Sequence, residues 1–281
     1  MNGTSFQLIN TGLFYADGGS MFGAVPHSAW SRRYPAGEGN RCVLAMQVGL
    51  VITGNGRIIL IDTGVGDKQW ERLQSTTYHF YDMVDLREAL RSRGVMPGDV
   101  TDIILTHLHF DHCGYATCYE NGRIVPAFPS AQCWVSRTQW DNSQHPHPLE
   151  ADAYFPENMD AVREAGKLQL IQSDCDLCEG VRLCLFDGHT PGQIVPCFET
   201  AVGEVVFAGD VIPIAAQVSP TWISAYDMEP MKSYYEKIRL LDEAADKKQI
   251  IVHYHDPGTP CSTVRKINHF FKAEAYKKYT L

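Results

Sequence analysis

"THLHFDHCG", residues 106–114, places three histidines and an aspartate within the six positions His107–His112, directly after the apolar run "DIIL". A histidine-rich surface turn would account for the crowding, and so would a metal site. Three other stretches decide between them. "VVFAG" runs into Asp210, "IIVHY" runs into His255-Asp256, and "VRLCLF" precedes His189 in "FDGHTPGQ". Each is a short apolar run ending in a side chain that can bind a metal. Strand ends are rigid platforms, and the loops that leave them commonly hold the chemistry. Four such endings point to one rim of one sheet system. In a locally extended segment His107 and His109, two residues apart, face the same way and can reach one ion. Asp111 and His112 would turn toward a second. Imidazole nitrogen with carboxylate oxygen suits zinc, and also manganese or iron.

The runs around these endings set the fold class. "CVLAMQVGLVIT" (42–53), "GNG" and "RIILIDTG" (57–64) read as two strands joined by a glycine turn. Residues 82–94 carry Met83, Leu86 and Leu90 at helical spacing, with Gly94 as a stop. Residues 114–160 read as loop-rich. "KLQLIQ", "VRLCLFDG", "IVPCFET" and "EVVFAGD" are successive strands, and 229–248 is a helix with Tyr234, Ile238, Leu241 and Ala245 on one face. "QIIVHYHD" returns to strand, and "STVRKINHFFKAEAYKKY" closes the chain as a helix. Strands interleaved with helices predict an α/β chain with a layered core. No proline- or serine-rich linker divides it, so residues 1–281 are expected to form one domain.

Composition narrows the function. A net charge of −9 disfavours a nucleic-acid surface, which needs a lysine- or arginine-rich stripe. The cluster Lys272, Lys277 and Lys278 reads as a solvated helix face. No stretch approaches the roughly 20 apolar residues of a membrane span. The start "MNGTSFQLIN" lacks the basic and apolar regions of a secretory signal, and nine cysteines favour reduced thiols, so a cytoplasmic protein is expected. Cys175 and Cys178 form a CxxC without a second pair, which reads as two thiols in an acidic turn. No interface signature stands out, and a homodimer is the default expectation. There is no GxSxG, Walker-type loop or GxGxxG after a strand.

The ordered set "LIDTG", "HLHFDH", "GHTPGQ", "FAGD" and "HYHDP" resembles the metallo-β-lactamase-fold hydrolases, and it spreads from residue 58 to 257. The resemblance implies a four-layer αββα sandwich with two divalent metal ions, zinc first among the choices, at one edge of the sheets. It implies that His107, His109 and His189 hold one ion, that Asp111, His112 and His255 hold the other, and that Asp210 bridges them. His253 and His255 both lie at a strand end, and the family pattern, with its ligand immediately before Asp-Pro, selects His255. Asp62 of "LIDTG" looks like the family carboxylate that orients a ligand histidine. Within the family the motifs look most like the lactonase branch, which includes N-acyl-homoserine lactonases and organophosphate-hydrolysing relatives. "DGGSMFG" (17–23) is similar to that branch's pocket-lining segment, which nominates Met21 and Phe22. One departure stands out. Homoserine lactonases carry a tyrosine three residues after the bridging aspartate, and here that position is Pro213.

The implied activity is hydrolysis of a small-molecule ester or lactone, with Asp111 and Asp210 as the catalytic carboxylates. Phosphotriester or thioester hydrolysis on the same metals is the neighbouring reading, and a non-catalytic ligand sensor with the same fold is the reading from another class. Trp30, Tyr115 and Trp140 are further candidates for an apolar wall over the site. Cys113 is expected to pack behind it, and His145 and His147 to lie on the surface.

Overall fold

The computed structural model describes residues 3–68, 72–73 and 78–279. Its first sheet is built from β1 (Ser5–Asp17), β2 (Arg41–Ile52), β3 (Ile58–Ile61), β4 (Phe80–Tyr81) and β5 (Asp102–Ile104), then, after the small hairpin β6 (Thr117–Glu120) and β7 (Arg123–Pro126), β8 (Gln132–Ser136) and β9 (Leu168–Ile171). The second consists of β10 (Cys175–Cys178), β11 (Val181–Phe186), β12 (Gln193–Thr200), β13 (Gly203–Phe207), β14 (Ile250–Val252), β15 (Cys261–Ile267) and β16 (Phe270–Ala275). The order in the first is β4-β1-β2-β3-β5-β8-β9, and in the second it follows the chain.

Side-chain alternation explains why these sheets stack. Ile59 and Ile61, Val205 and Phe207, and Ile250 and Val252 point into a common core between the sheets. Leu60 and Ile103 point the other way, onto Leu86 and Leu90 of the helix Leu86–Arg91. On the far side Val206 and Ile251 meet Leu240, Leu241 and Ala244 of the helix Pro230–Lys247. A strand covered on both faces must be apolar at every position, which is what "IILI" (58–61), "IIL" (103–105) and "VVFA" (205–208) show. The outcome is helices, sheet, sheet, helix, the four layers expected.

Direction places the site. β3, β5, β8 and β9 run parallel, and so do β13 and β14. Parallel neighbours deliver their carboxyl ends to one edge, where the loops leaving them converge.

Several expectations need correction. Residues 262–279 are not a closing helix. β15 and β16 pair with Ile267 opposite Phe270, leaving a two-residue turn in which Asn268 adopts φ 55°. Asparagine tolerates that left-handed backbone, and "NH" between alternating residues is a hairpin signal that overrides the helical spacing of lysines. Lys272 therefore lies on a strand. The CxxC is strand β10, not a turn, with Cys175 opposite Leu183. The region read as loop also contains β8 and the helix Arg137–Gln144, and β1 had no counterpart. In the last long helix the buried face is Ser233, Lys237, Leu240, Leu241 and Ala244, so of the expected stripe only Leu241 is on it.

Candidate metal centre

β5 ends at Ile104, and the chain leaves it through Thr106 into the turn that carries His107 and His109. His109 caps the one-turn helix Phe110–Cys113, which presents Asp111 and His112. Gly114 follows with no room for a side chain: a Cβ there would lie 2.0 Å from the Val65 carbonyl oxygen. β11 delivers His189 through a turn held from below by Glu236, whose carboxylate accepts the Asp187 and Gly188 amides at 2.9 and 2.8 Å. β13 delivers Asp210 through Gly209, which adopts φ 50°. β14 delivers His255, whose backbone amide donates to the Pro213 carbonyl at 2.9 Å.

These turns bring seven side chains together. The ligand atoms of His107, His109 and His189 lie within 4.8 Å of one another, as do those of Asp111, His112 and His255, and those of His107, His112 and Asp210. Asp210 stands between the groups: its Oδ1 is 3.4 Å from His112 Nε2 and 3.3 Å from His255 Nε2, and its Oδ2 is 3.4 Å from His189 Nε2.

The opposite nitrogen of each ring is tied down. Asp62 faces His112 Nδ1 at 2.8 Å and also accepts the Thr106 amide and hydroxyl at 2.7 and 2.9 Å. Asp62 is fully buried and adopts φ 59°, a left-handed conformation that aspartate tolerates better than most residues. Asp227 faces His189 Nδ1 at 3.0 Å, Glu150 faces His109 Nε2 at 3.3 Å, and the Ala45 carbonyl faces His255 Nδ1 at 2.8 Å. Glu150 is itself held by Asn142 at 2.8 Å and Tyr154 at 3.0 Å. The Tyr254 hydroxyl donates to the Asp111 carbonyl at 2.5 Å while its ring stacks on His112 at 4.1 Å.

With those partners fixed, the inward atoms are left over. His107 Nε2, His112 Nε2 and Asp210 Oδ1 are buried without a hydrogen-bond partner. Such atoms are rare in folded chains and costly. His189 Nε2 and His109 Nδ1 face each other at 3.3 Å while their other nitrogens face carboxylates. Two such lone pairs repel unless a cation lies between them. The donor set fits divalent cations, three imidazoles on one side and a mixed imidazole and carboxylate set on the other.

The electrostatics agree. Burial outweighs every neighbour at His107 and holds its pKa well below the ordinary range, so the ring is neutral, the form a ligand needs. Burial also lowers His109. At Asp210 burial acts upward, but His255, His112 and His189 outweigh it and keep the carboxyl ionised. Glu150 is likewise driven down to about 2, burial being overcome by its bonds to His109 and Asn142.

A cavity of about 450 Å³ opens above the cluster. Phe14, Met21, Leu44, Phe110 and Met228 give it apolar walls, and Asp111, Asp210, His109, His189 and His255 form part of its lining. Met21 is among the residues of its wall. Phe22 does not line the cavity but stacks on Trp30 at 4.6 Å behind it, and Tyr115 and Trp140 line other cavities. His253 is set apart, because both its ring nitrogens are engaged, by the Ile212 carbonyl at 3.1 Å and Ser262 at 2.8 Å. Cys113 packs on the Leu108 carbonyl at 3.3 Å, and His145 and His147 are exposed. Asp227, Glu150 and Tyr254 escaped the sequence reading. The first two lie in irregular loops with no motif spacing, and Tyr254 looks like any strand aromatic.

Comparison with known proteins places this arrangement. The family model described as the metallo-beta-lactamase superfamily matches residues 46–119. An N-acyl homoserine lactonase of Bacillus is 30% identical over 111 residues, covering 40% of this chain and 38% of the relative, so the match spans under two-fifths of that protein. A probable metal-dependent hydrolase from Staphylococcus aureus superposes with a TM-score of 0.86 at 25% identity, over 98% of this chain and 99% of that one. A dizinc quorum-quenching lactonase, solved with a product, shares the fold with a TM-score of 0.80 at 19% identity, over 98% and 96%. The family model matches across His107–His112 and the whole architecture is shared with these proteins, so the chain has the metallo-β-lactamase fold and resembles that superfamily in the segment carrying these ligand-type residues.

Proposed function

We propose that the chain is a metal-dependent hydrolase that opens a small-molecule ester or lactone at a site for two divalent cations. The observation that carries this reading is the convergence of partnerless buried atoms, His107 Nε2, His112 Nε2 and Asp210 Oδ1, among seven ligand-type side chains. His107, His109 and His189 would hold one cation, Asp111, His112 and His255 the other, and Asp210 would offer one oxygen to each. Two such cations, zinc in the first instance and manganese or iron with the same donors, would polarise an acyl oxygen and supply a water with its pKa lowered toward about 7.

The chain's own groups do the rest. Asp62, Asp227 and the Ala45 carbonyl each accept an Nδ1 proton, which leaves the Nε2 lone pairs of His112, His189 and His255 directed inward. Asp111 faces His255 Nε2 at 3.5 Å and also lines the cavity. It is placed to take the proton of the attacking water and pass it to the leaving oxygen. The apolar walls exclude bulk water from the acyl group. Among the described residues no lysine or arginine lines the cavity, which favours an uncharged substrate over a phosphodiester or a carboxylate.

Proton release in weak buffer tests the reading, with zinc-reconstituted protein set against a metal-free control. Metal-dependent acid production from a lactone or ester is expected. Acid production only from a phosphotriester or thioester would move the assignment to that bond. Silence across all four classes from protein with two metals bound would overturn hydrolysis.

A further inference from the structure

Among the described residues the two large sheets end in four edge strands, β4, β9, β10 and β16. β4 has two residues, β9 and β10 have four, and β10 is broken by a register shift between Asp176 and Cys178. Short and bulged edges resist pairing with another chain. β16 has six residues in unbroken register and neither protection. Its hairpin fixes which main-chain groups are spare. Ile267 and Phe270 close a two-residue turn, and at the other end the Tyr276 amide donates to the Cys261 carbonyl at 2.9 Å. Phe270, Lys272 and Glu274 therefore bond back to β15, and Phe271, Ala273 and Ala275 direct their N–H and C=O groups outward. Among the described residues those outward groups have no backbone partner. Phe271 and Ala273 pack toward the helix Pro230–Lys247, whereas Phe270, Lys272 and Glu274 face the other way and are exposed. Phe270 is 74% exposed and Ile267 beside it 43%, which gives the edge an apolar end to bury.

The charge order of the strand decides what fits this edge. When two copies pair antiparallel about a two-fold axis through Ala273, Lys272 lies opposite the partner's Glu274, and Glu274 opposite the partner's Lys272. Phe270 meets the partner's Tyr276. Phe271, Ala273 and Ala275 exchange main-chain bonds with their opposites, so the charged pairs fall at the positions between, where side chains approach most closely. Moving the axis to residue 272 or 274 sets Lys272 against the partner's Lys272, or Glu274 against the partner's Glu274. One register attracts and both of its neighbours repel. Glu274 already meets Arg265 Nε at 2.9 Å, while Lys272 has no ionic partner among the described residues until the second copy supplies one. The strand is its own complement, which favours a second copy over a different protein.

We propose that β16 is a homodimer interface, at which two copies of the chain pair edge to edge about Ala273 and join their second sheets into one continuous sheet. The inference is independent of the hydrolase reading, because no residue of β16 lines the cavity.

Sedimentation velocity of the full chain over a dilution series tests it, and the parent protein is expected to dimerise. Lys272→Glu and Glu274→Lys should each raise the dimer Kd by about 10-fold or more, since each sets like charges opposite one another twice across the axis. Mixed in equal amounts, the two variants should recover the parent's Kd. One then carries only acidic and the other only basic side chains at these two positions, so every cross-strand pair is again attractive. Ala273→Pro removes an outward N–H and leaves the bonds to β15 in place, so it should be monomeric while keeping the parent's circular dichroism. A parent that stays monomeric throughout the series would overturn the proposal, as would a dimer indifferent to these substitutions. So would charge-reversed variants that fail to pair with each other. Association strengthened by the loss of Lys272 would also overturn it, by showing that the lysine keeps edges apart.

Discussion

The two halves of the candidate metal centre are supported in different ways. Around Asp111, His112 and His255 the orienting groups belong to the sheets: Asp62 follows β3 and Ala45 lies within β2. Around His107, His109 and His189 they come mainly from loops: Glu150 from the segment before Tyr154, and Asp227 from the connection ahead of the helix Pro230–Lys247. Asp62 serves the fold as well as the site, because it also satisfies the buried amide and hydroxyl of Thr106. The Asp227 carboxylate meets His189, whereas Glu150 also accepts from Asn142, Tyr154 and Thr190. The Asp62 contact is therefore tied to folding stability, and the Asp227 contact is the one that can be tuned separately.

The contrast can be broken outright at the shared residue. Asp210→Ala removes the carboxylate between the halves, and it is expected to cost at least one bound metal and about a thousandfold or more in turnover. Metal analysis and kcat/KM on the same preparation check this. Full activity with two metals bound would sink the two-cation reading.

The next effect sharpens the comparison. Asp62→Ala should lower metal affinity about 10- to 100-fold and also destabilise the metal-free protein, by about 1–3 kcal/mol for each buried donor left unpaired. Asp227→Asn should give a similar loss of affinity with little change in metal-free stability. Urea unfolding of both apo variants, beside metal titrations, separates the cases. Equal destabilisation would remove the distinction between sheet and loop support.

Glu150→Gln is expected to act more weakly, about tenfold on metal affinity, because Asn142 and Tyr154 can still hold the amide. Retention of one tightly bound metal with weakened binding of the other would locate its effect in the loop-supported half.

The smallest effect concerns Lys237, which is fully buried under the Asp227 loop with its ammonium donating to the Trp222 carbonyl at 2.7 Å. Burial pushes its pKa down to about 8, against the pull of Asp227. Between pH 8 and the ordinary lysine range near 10.5 the unfolded chain holds a proton that the folded chain has released, so this group makes stability rise with pH across that window. Below pH 8 both states are protonated and the cost of burying the charge is constant. Lys237→Met should abolish this rise, seen as a flatter difference curve of unfolding free energy against pH. Identical pH profiles would show that Lys237 does not titrate there.

How much was legible in the sequence follows the same division. The seven ligand-type residues sit in or beside short motifs at strand ends, where local spacing and the strand pattern act together. Asp62 was legible for the same reason, standing directly after the buried strand "IILI" and two residues before Gly64. The closing helix failed because lysine spacing in "RKINHFFKAEAYKK" matches a helix, whereas the decision was made by β14, which pairs with β15 through Ile251 and Ser262 and leaves β16 to cover the edge. The helix stripe on Pro230–Lys247 was misplaced because the face a helix buries is set by what it packs against. Here Lys237 turns inward to reach a carbonyl.

By itself, then, the sequence determined the layered α/β class and the identity of the residues around the centre, since both arise from local periodicity and from chemistry concentrated in short turns. Only the tertiary structure decided which groups orient those residues and which aromatics face the cavity, Tyr78 and Tyr226 among them. Those are contacts between segments as far apart in the chain as Asp62 and His112, or His189 and Asp227, and no local pattern encodes a contact whose partners are brought together by the packing of two sheets.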